Sequence, residues 1–67
     1  MMWKLYKSRA LTEIRPYEVG EDLDGITIPP QHEPEQGDMI CRRYDKPEDQ
    51  WLIAREYFQK NYDLVSQ

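Results

Sequence analysis

The chain has a single cysteine, Cys41, and a single histidine, His32. One cysteine excludes an internal disulfide, and the pair together excludes every zinc site built on two or more histidines or cysteines of one type. No apolar run approaches the roughly 18 residues that a bilayer-spanning helix requires. The opening Met1-Met2-Trp3-Lys4-Leu5-Tyr6-Lys7 lacks the apolar stretch of a signal peptide. These absences point to a soluble, cytoplasmic protein of a reducing compartment, with no membrane partner.

The most informative absence is of positive charge in the middle third. Residues 16–38 contain no lysine or arginine but seven acids: Glu18, Glu21, Asp22, Asp24, Glu33, Glu35 and Asp38. Residues 1–15 carry a net +3, and residues 39–67 balance five bases against five acids, so the formal charge of −4 arises wholly from the middle. Such a block repels nucleic acid and attracts a basic surface. It also serves, more plainly, as a pair of solvated loops.

What remains is a small supply of core residues. The chain is 67 residues long and 39% apolar, enough for one domain, 1–67, near the lower size limit. A chain of this length buries only about 60% of the surface its unfolded form exposes.

Punctuation sets the coarse secondary structure. Arg9 to Tyr17 reads as a strand with Thr12 and Ile14 as strand formers, and Pro16 predicts an edge or a strand end. Gly20 to Gly25 reads as a loop and Gly25-Ile26-Thr27-Ile28 as a short strand stopped by Pro29-Pro30. Residues 29–37 hold three prolines and a glycine with no apolar side chain beyond proline, which predicts an exposed connection. Met39-Ile40-Cys41, bounded by Arg42-Arg43, reads as a strand.

Two readings compete for the stretch that follows. Asp45 can cap a long helix with Pro47, Glu48 and Asp49 in its first turn, running to Tyr62. Alternatively, Tyr44 to Asp49 is a hairpin loop, Gln50-Trp51-Leu52-Ile53 is a strand, and only Ala54 to Asn61 is helical. Capping favours the first. Three consecutive apolar residues, Trp51, Leu52 and Ile53, favour the second, because they would wrap a helix but suit a buried strand.

Gly37-Asp38-Met39-Ile40, a turn, a second apolar run, and then Tyr57-Phe58-x-x-Asn61-Tyr62-Asp63 resembles the C-terminal half of small accessory proteins of tailed bacteriophages. Glu13-Ile14-Arg15-Pro16-Tyr17 followed by Gly20-Glu21-Asp22-Leu23 is similar to phage reading frames of the same kind. The resemblance covers residues 13–28 and 37–65. Met39 stands where an aromatic residue is frequent, and Asp63 where glutamate is commoner. It implies the hairpin: strand 39–43, strand 50–54, helix from about 55 to 61. It brings no catalytic residues.

The expected fold is therefore α+β: a small antiparallel sheet of three or four strands with one short C-terminal helix. The expected core is Ile28, Ile40, Trp51, Ile53, Phe58 and Tyr62.

Candidate chemistry is sparse. Gly25 at position 6 of a calcium loop would put Gly20, Asp22 and Asp24 at positions 1, 3 and 5 and Gln31 at position 12, which lacks two of the best ligands. Cys41 lies in a strand-like apolar run and reads as a core residue, and His32 as a solvated loop residue, so no Cys–His pair is expected. No apolar pocket surrounds the middle acids to raise a carboxyl pKa. The reading is of a protein that is no enzyme and needs no metal or cofactor.

Association is what the composition favours. Eight aromatic residues, two of them tryptophan, are the types enriched at interface hot spots. A minimal domain with no staple gains stability by docking, so a homo-oligomer is expected, formed through the edge of the Arg9–Tyr17 strand or the aromatic N-terminal segment. The partner-binding residues expected are Glu18, Glu21, Asp22, Asp24, Glu33 and Glu35, facing a host protein with a basic surface. The phage resemblance implies stoichiometric inhibition or redirection of a host protein, such as a defence component, with the acids as a decoy for a surface that normally meets phosphate. The alternative is a sponge for a nucleotide signal or other small ligand, or a weak nucleic-acid binder, using Arg42, Arg43, Tyr44 and Lys46. Against nucleic acid stand the net acidity and the alternation that sends Arg42 and Arg43 to opposite sides of a strand.

Overall fold

A computed structural model describes residues 3–7 and 11–65. The elements are β1 (Lys4–Lys7), β2 (Leu11–Pro16), β3 (Ile26–Thr27), β4 (Met39–Arg43), β5 (Lys46–Ile53), α1 (Arg55–Asn61) and β6 (Asp63–Leu64). They form a six-stranded sheet in the order β3-β5-β4-β2-β1-β6. The α+β class stands, with more strands than the three or four expected. The sheet is also mixed, because β3 pairs parallel to β5. The expected strand from Arg9 begins at Leu11; Arg9 and Ala10 lie outside the described residues.

A hairpin forms over 39–53 and the long helix does not, but β5 begins at Lys46 instead of Gln50, so the connection is Tyr44-Asp45 and not the expected loop from Tyr44 to Asp49. Arg43 pairs with Lys46 across Tyr44-Asp45, but the next step pairs Arg42 with Gln50. Three residues, Pro47, Glu48 and Asp49, are therefore bulged out of register, and the Gln50 side-chain amide donates to the Pro47 carbonyl at 3.1 Å. Regular pairing resumes where the apolar run begins. Proline has no N–H for the ladder, so the irregularity falls where proline is tolerated.

Register assigns the two faces of the sheet. Ile14 opposes Cys41, which opposes Trp51, and Met39 opposes Ile53. This face carries the buried cluster Ile14, Cys41 and Ile53, with Tyr6, Met39, Trp51, Phe58 and Tyr62 packed on it. The helix covers it because β5 and β6 run parallel with three strands between them, so the connecting chain must cross the sheet. Phe58 meets Tyr6 edge-on at 5.0 Å and stacks on Tyr62 at 6.1 Å.

The opposite face is also buried. Ile40 and Leu52, directly opposed, are 0% and 1% exposed. Arg15, beside Ile40, is itself buried and reaches Glu21, which draws the 17–24 loop to this side. Trp3 lies here too, with the Arg42 guanidinium 4.1 Å and that of Arg15 5.2 Å from its ring centre. The expected core therefore splits between two layers. Ile40 lies on the other side of the sheet from Ile53, while Trp51, Phe58, Tyr62 and Ile28 are only partly buried.

The expectation that the Arg9–Tyr17 strand offers a free edge is corrected, while Pro16 stands at a strand end, one of the two places expected for it. β2 is an inner strand, paired to β1 on one side and β4 on the other, with Pro16 at its end opposite Met39. It offers no free edge to a second copy. The sheet edges are β3 and β6, two residues each. Among the described residues, no helix is long and apolar enough to cross a membrane.

Candidate functional site

The 29–37 connection is exposed for most of its length but is tethered from within. Asp38, at its end, is 1% exposed. One carboxylate oxygen accepts from His32 Nε2 at 2.8 Å and from the Glu35 amide at 3.0 Å, and the other from the Arg55 amide at 3.3 Å. A carboxylate oxygen only accepts, so the imidazole donates through Nε2. His32 is therefore a structural partner of Asp38, not the solvated residue expected. Asp38 joins the loop to the start of α1, where Ala54 has no side chain to cap the helix. Beside it, Gly37 has a φ of +100°, and an added Cβ would sit 3.1 Å from Cδ of Arg55.

The middle acids divide by role. Glu21 is held by both terminal guanidinium nitrogens of Arg15, at 2.6 and 2.9 Å, and accepts from the Glu18 amide at 2.7 Å. The Arg15 hydrogen bonds hold its carboxyl below the usual range against the opposing effect of burial. Asp38 is interior. The other five acids, Glu18, Asp22, Asp24, Glu33 and Glu35, are exposed. Asp22 also accepts from the Asp24 amide at 2.9 Å, which fixes the turn locally. Five of the six residues expected to bind a partner are thus exposed, though Asp22 also holds the Asp24 amide, and Glu21 is taken by Arg15.

The basic set is dispersed. Arg42 donates to Glu13 at 2.9 Å and packs on Trp3 on the loop-covered face. Arg43 points to the helix-covered face at the sheet's end, where it pairs with Asp45 at 3.2 Å. Tyr44 and Lys46 are exposed in the hairpin turn region. Cys41 is fully buried, and burial pushes its thiol up to about 12. No group of three or more metal-ligating side chains occurs among the described residues.

One concavity was not expected from the sequence. A cleft of about 500 Å³ opens where the chain leaves β3 and passes beside the end of β5 and α1. Its walls include Ile28, Pro29, His32, Trp51, Tyr57 and Tyr62. Tyr57 and Tyr62 meet at an angle of 57° with ring centres 6.3 Å apart. Burial, with minor help from Cys41 and Tyr57, raises the Tyr62 hydroxyl pKa. Trp51, Tyr62 and Ile28 were expected wholly in the core. The cleft exists because β3 is too short to cover the end of β5, a parallel pairing that no local signal announces.

No known family profile, curated protein or solved structure matches this chain.

Proposed function

We propose that the protein is a non-catalytic binding protein, a bacteriophage accessory protein acting in the host cytoplasm, that engages a basic surface on a host polypeptide. The observation that carries this reading is the division of the acids. Within a 23-residue stretch free of lysine and arginine, Glu18, Asp22, Asp24, Glu33 and Glu35 are exposed while Glu21 and Asp38 hold the loops in place. Two acidic loops on an ordered frame present like charge at little ordering cost, and complementary charge raises the association rate and selects the partner. Inhibition or redirection of a host protein, a defence component among them, follows from stoichiometric occupancy of that surface. A nucleotide sponge would need Arg42, Arg43 and Lys46 to converge, and the register sends the two arginines to opposite faces.

The test is capture from host lysate, with native mass spectrometry of the eluate. It compares wild type with a variant carrying Glu18→Lys, Asp24→Lys, Glu33→Lys and Glu35→Lys. Glu21 and Asp22 are spared because their carboxylates bond to the loop itself. The expected result is a stoichiometric polypeptide retained by wild type, weakened by salt and lost from the variant. A polypeptide retained equally by both, or a small molecule in its place, rejects the acidic surface as the binding site.

A further inference from the structure

We propose that Trp3 is a positioning residue for the acidic loop 17–24. Its ring, laid against Arg15 and Arg42, holds Arg15 in the pose that grips Glu21. The N-terminal segment thereby governs one of the two acidic loops and not the other. For function this rests on the acidic-surface reading, because the loop presents Glu18, Asp22 and Asp24.

Alternation brings the group together. Glu13 and Arg15 lie two residues apart on β2 and point to one face, and Arg42 of β4 stands opposite Glu13. Leu5 of β1 opposes Glu13 from the other side, and Trp3, two residues before Leu5, reaches the same face. The Trp3 ring centre lies 4.1 Å from the Arg42 guanidinium carbon and 5.2 Å from that of Arg15. Both distances fall inside the roughly 6 Å over which a ring face attracts a cation. Two cations beside one ring repel each other unless each has a counter-ion. Arg42 has Glu13 at 2.9 Å and Arg15 has Glu21 at 2.6 Å. Glu13 belongs to the sheet and Glu21 to the loop, so it is the Arg15 pair that joins the two.

Cover decides how firmly that pair holds. The side chains of Arg15 and Glu21 are 8% and 15% exposed. An ion pair open to water contributes little, and its attraction rises as water is excluded. Trp3 lies over the Arg15 guanidinium; without the ring, water reaches the pair and the arginine regains rotamers. Glu21 also accepts from the Glu18 amide at 2.7 Å, so a displaced Glu21 releases Glu18. The Tyr17 amide bonds to the Asp38 carbonyl at 2.9 Å, which pins the root of this loop and leaves its acids to Arg15.

The second acidic loop is fastened differently. Residues 29–37 are held by the Asp38 carboxylate, which accepts from His32, the Glu35 amide and the Arg55 amide. None of those groups belongs to the Trp3 cluster. A change at Trp3 therefore acts on 17–24 and spares 29–37.

The experiment is amide hydrogen exchange with carboxyl titration by NMR on the isotope-labelled full chain. It compares wild type, Trp3→Ala, Trp3→Phe and Trp3→Leu. In Trp3→Ala the Glu18 amide should exchange about five- to thirtyfold faster, with the Glu35 amide unchanged. The Glu21 carboxyl, held low by the Arg15 hydrogen bonds, should return toward its ordinary range. Trp3→Phe keeps an aromatic face and should restore most of both, whereas Trp3→Leu keeps bulk without the ring and should not. In lysate capture, Trp3→Ala should retain less partner than wild type, and Trp3→Phe more than Trp3→Ala.

Unchanged Glu18 exchange in Trp3→Ala overturns the positioning role, whatever the capture shows. Equal acceleration at Glu18, Glu35 and Ile40 overturns it too, since Trp3 is then a general stabiliser of the domain. Full rescue by Trp3→Leu removes the guanidinium contact as the cause. Faster Glu18 exchange with undiminished capture upholds the positioning role and takes the 17–24 acids out of the binding surface. A wild type that captures nothing defeats the acidic-surface reading alone, and the exchange measurement, made without a partner, still decides Trp3.

Discussion

His32 Nε2 donates to Asp38 across 2.8 Å, and through Asp38 a proline-rich surface loop is bonded to the first turn of the helix. The carboxylate is almost fully buried and accepts from three donors in all. Asp38→Ala leaves those donors without a partner and should cost on the order of 3 kcal/mol. The whole domain is worth about 3–10 kcal/mol at the usual stability per residue, so urea denaturation should show that variant with a markedly lower midpoint. His32→Ala removes one bond of the three and should cost about 1 kcal/mol. Equal midpoints for wild type and both variants would show that the Asp38 network contributes nothing.

Arg15 and Glu21 make stability depend on acid. Arg15 holds the Glu21 carboxyl below its ordinary value in the folded state. Folding is therefore favoured above the unfolded-chain value of about 4.3, and the advantage disappears as pH falls through the lowered folded value. The stability difference between wild type and Glu21→Gln should be constant from pH 7 down to about 5 and then shrink. A difference that grows on acidification contradicts the assignment.

Cys41 should be chemically silent until the protein opens. Its side chain is fully buried and burial pushes its thiol up to about 12, whereas the thiolate is the reactive form. Alkylation at pH 8 should follow the rate of unfolding and rise steeply in urea. Rapid labelling in native buffer would place the thiol at the surface.

Gly37 should not tolerate a side chain. Its φ is +100°, and a Cβ would meet the Arg55 side chain at 3.1 Å. Gly37→Ala should lower stability by about 1–3 kcal/mol from backbone strain, while Gly25→Ala, at a positive φ but in open space, should cost less. Thermal melts of the two variants compare them directly.

Much of the local structure was legible. Three successive apolar residues, Trp51 to Ile53, signal a strand because a short helix cannot bury a full circumference. The resemblance to phage accessory proteins pointed the same way, and the observed helix runs over 55–61 as that reading has it. The absence of apolar side chains other than proline from 29–37 marks an exposed loop, and the acid excess of 16–38 is visible by counting. His32 was misread because its partner lies six positions away in a loop, a spacing that belongs to no regular element.

By itself the sequence determined where the strands around Ile14, Ile26 and Ile40 and the exposed loops lie, since alternation, proline and glycine act over a few residues, and it left 45–54 open between strand and helix. It also determined the charge distribution. Tertiary structure decided which strands meet. β1 and β6 are marginal segments stabilised as strands by non-local pairing, and β3 reaches β5 only through a parallel contact 24 residues distant. Those pairings set everything functional that counting could not: that Glu21 is taken by Arg15, that Arg42 and Arg43 separate, and that Trp51, Tyr57 and Tyr62 wall a cleft. The reason is that a side chain's role depends on its neighbours in space. Loop closure brings those neighbours together only when the whole sheet is assembled.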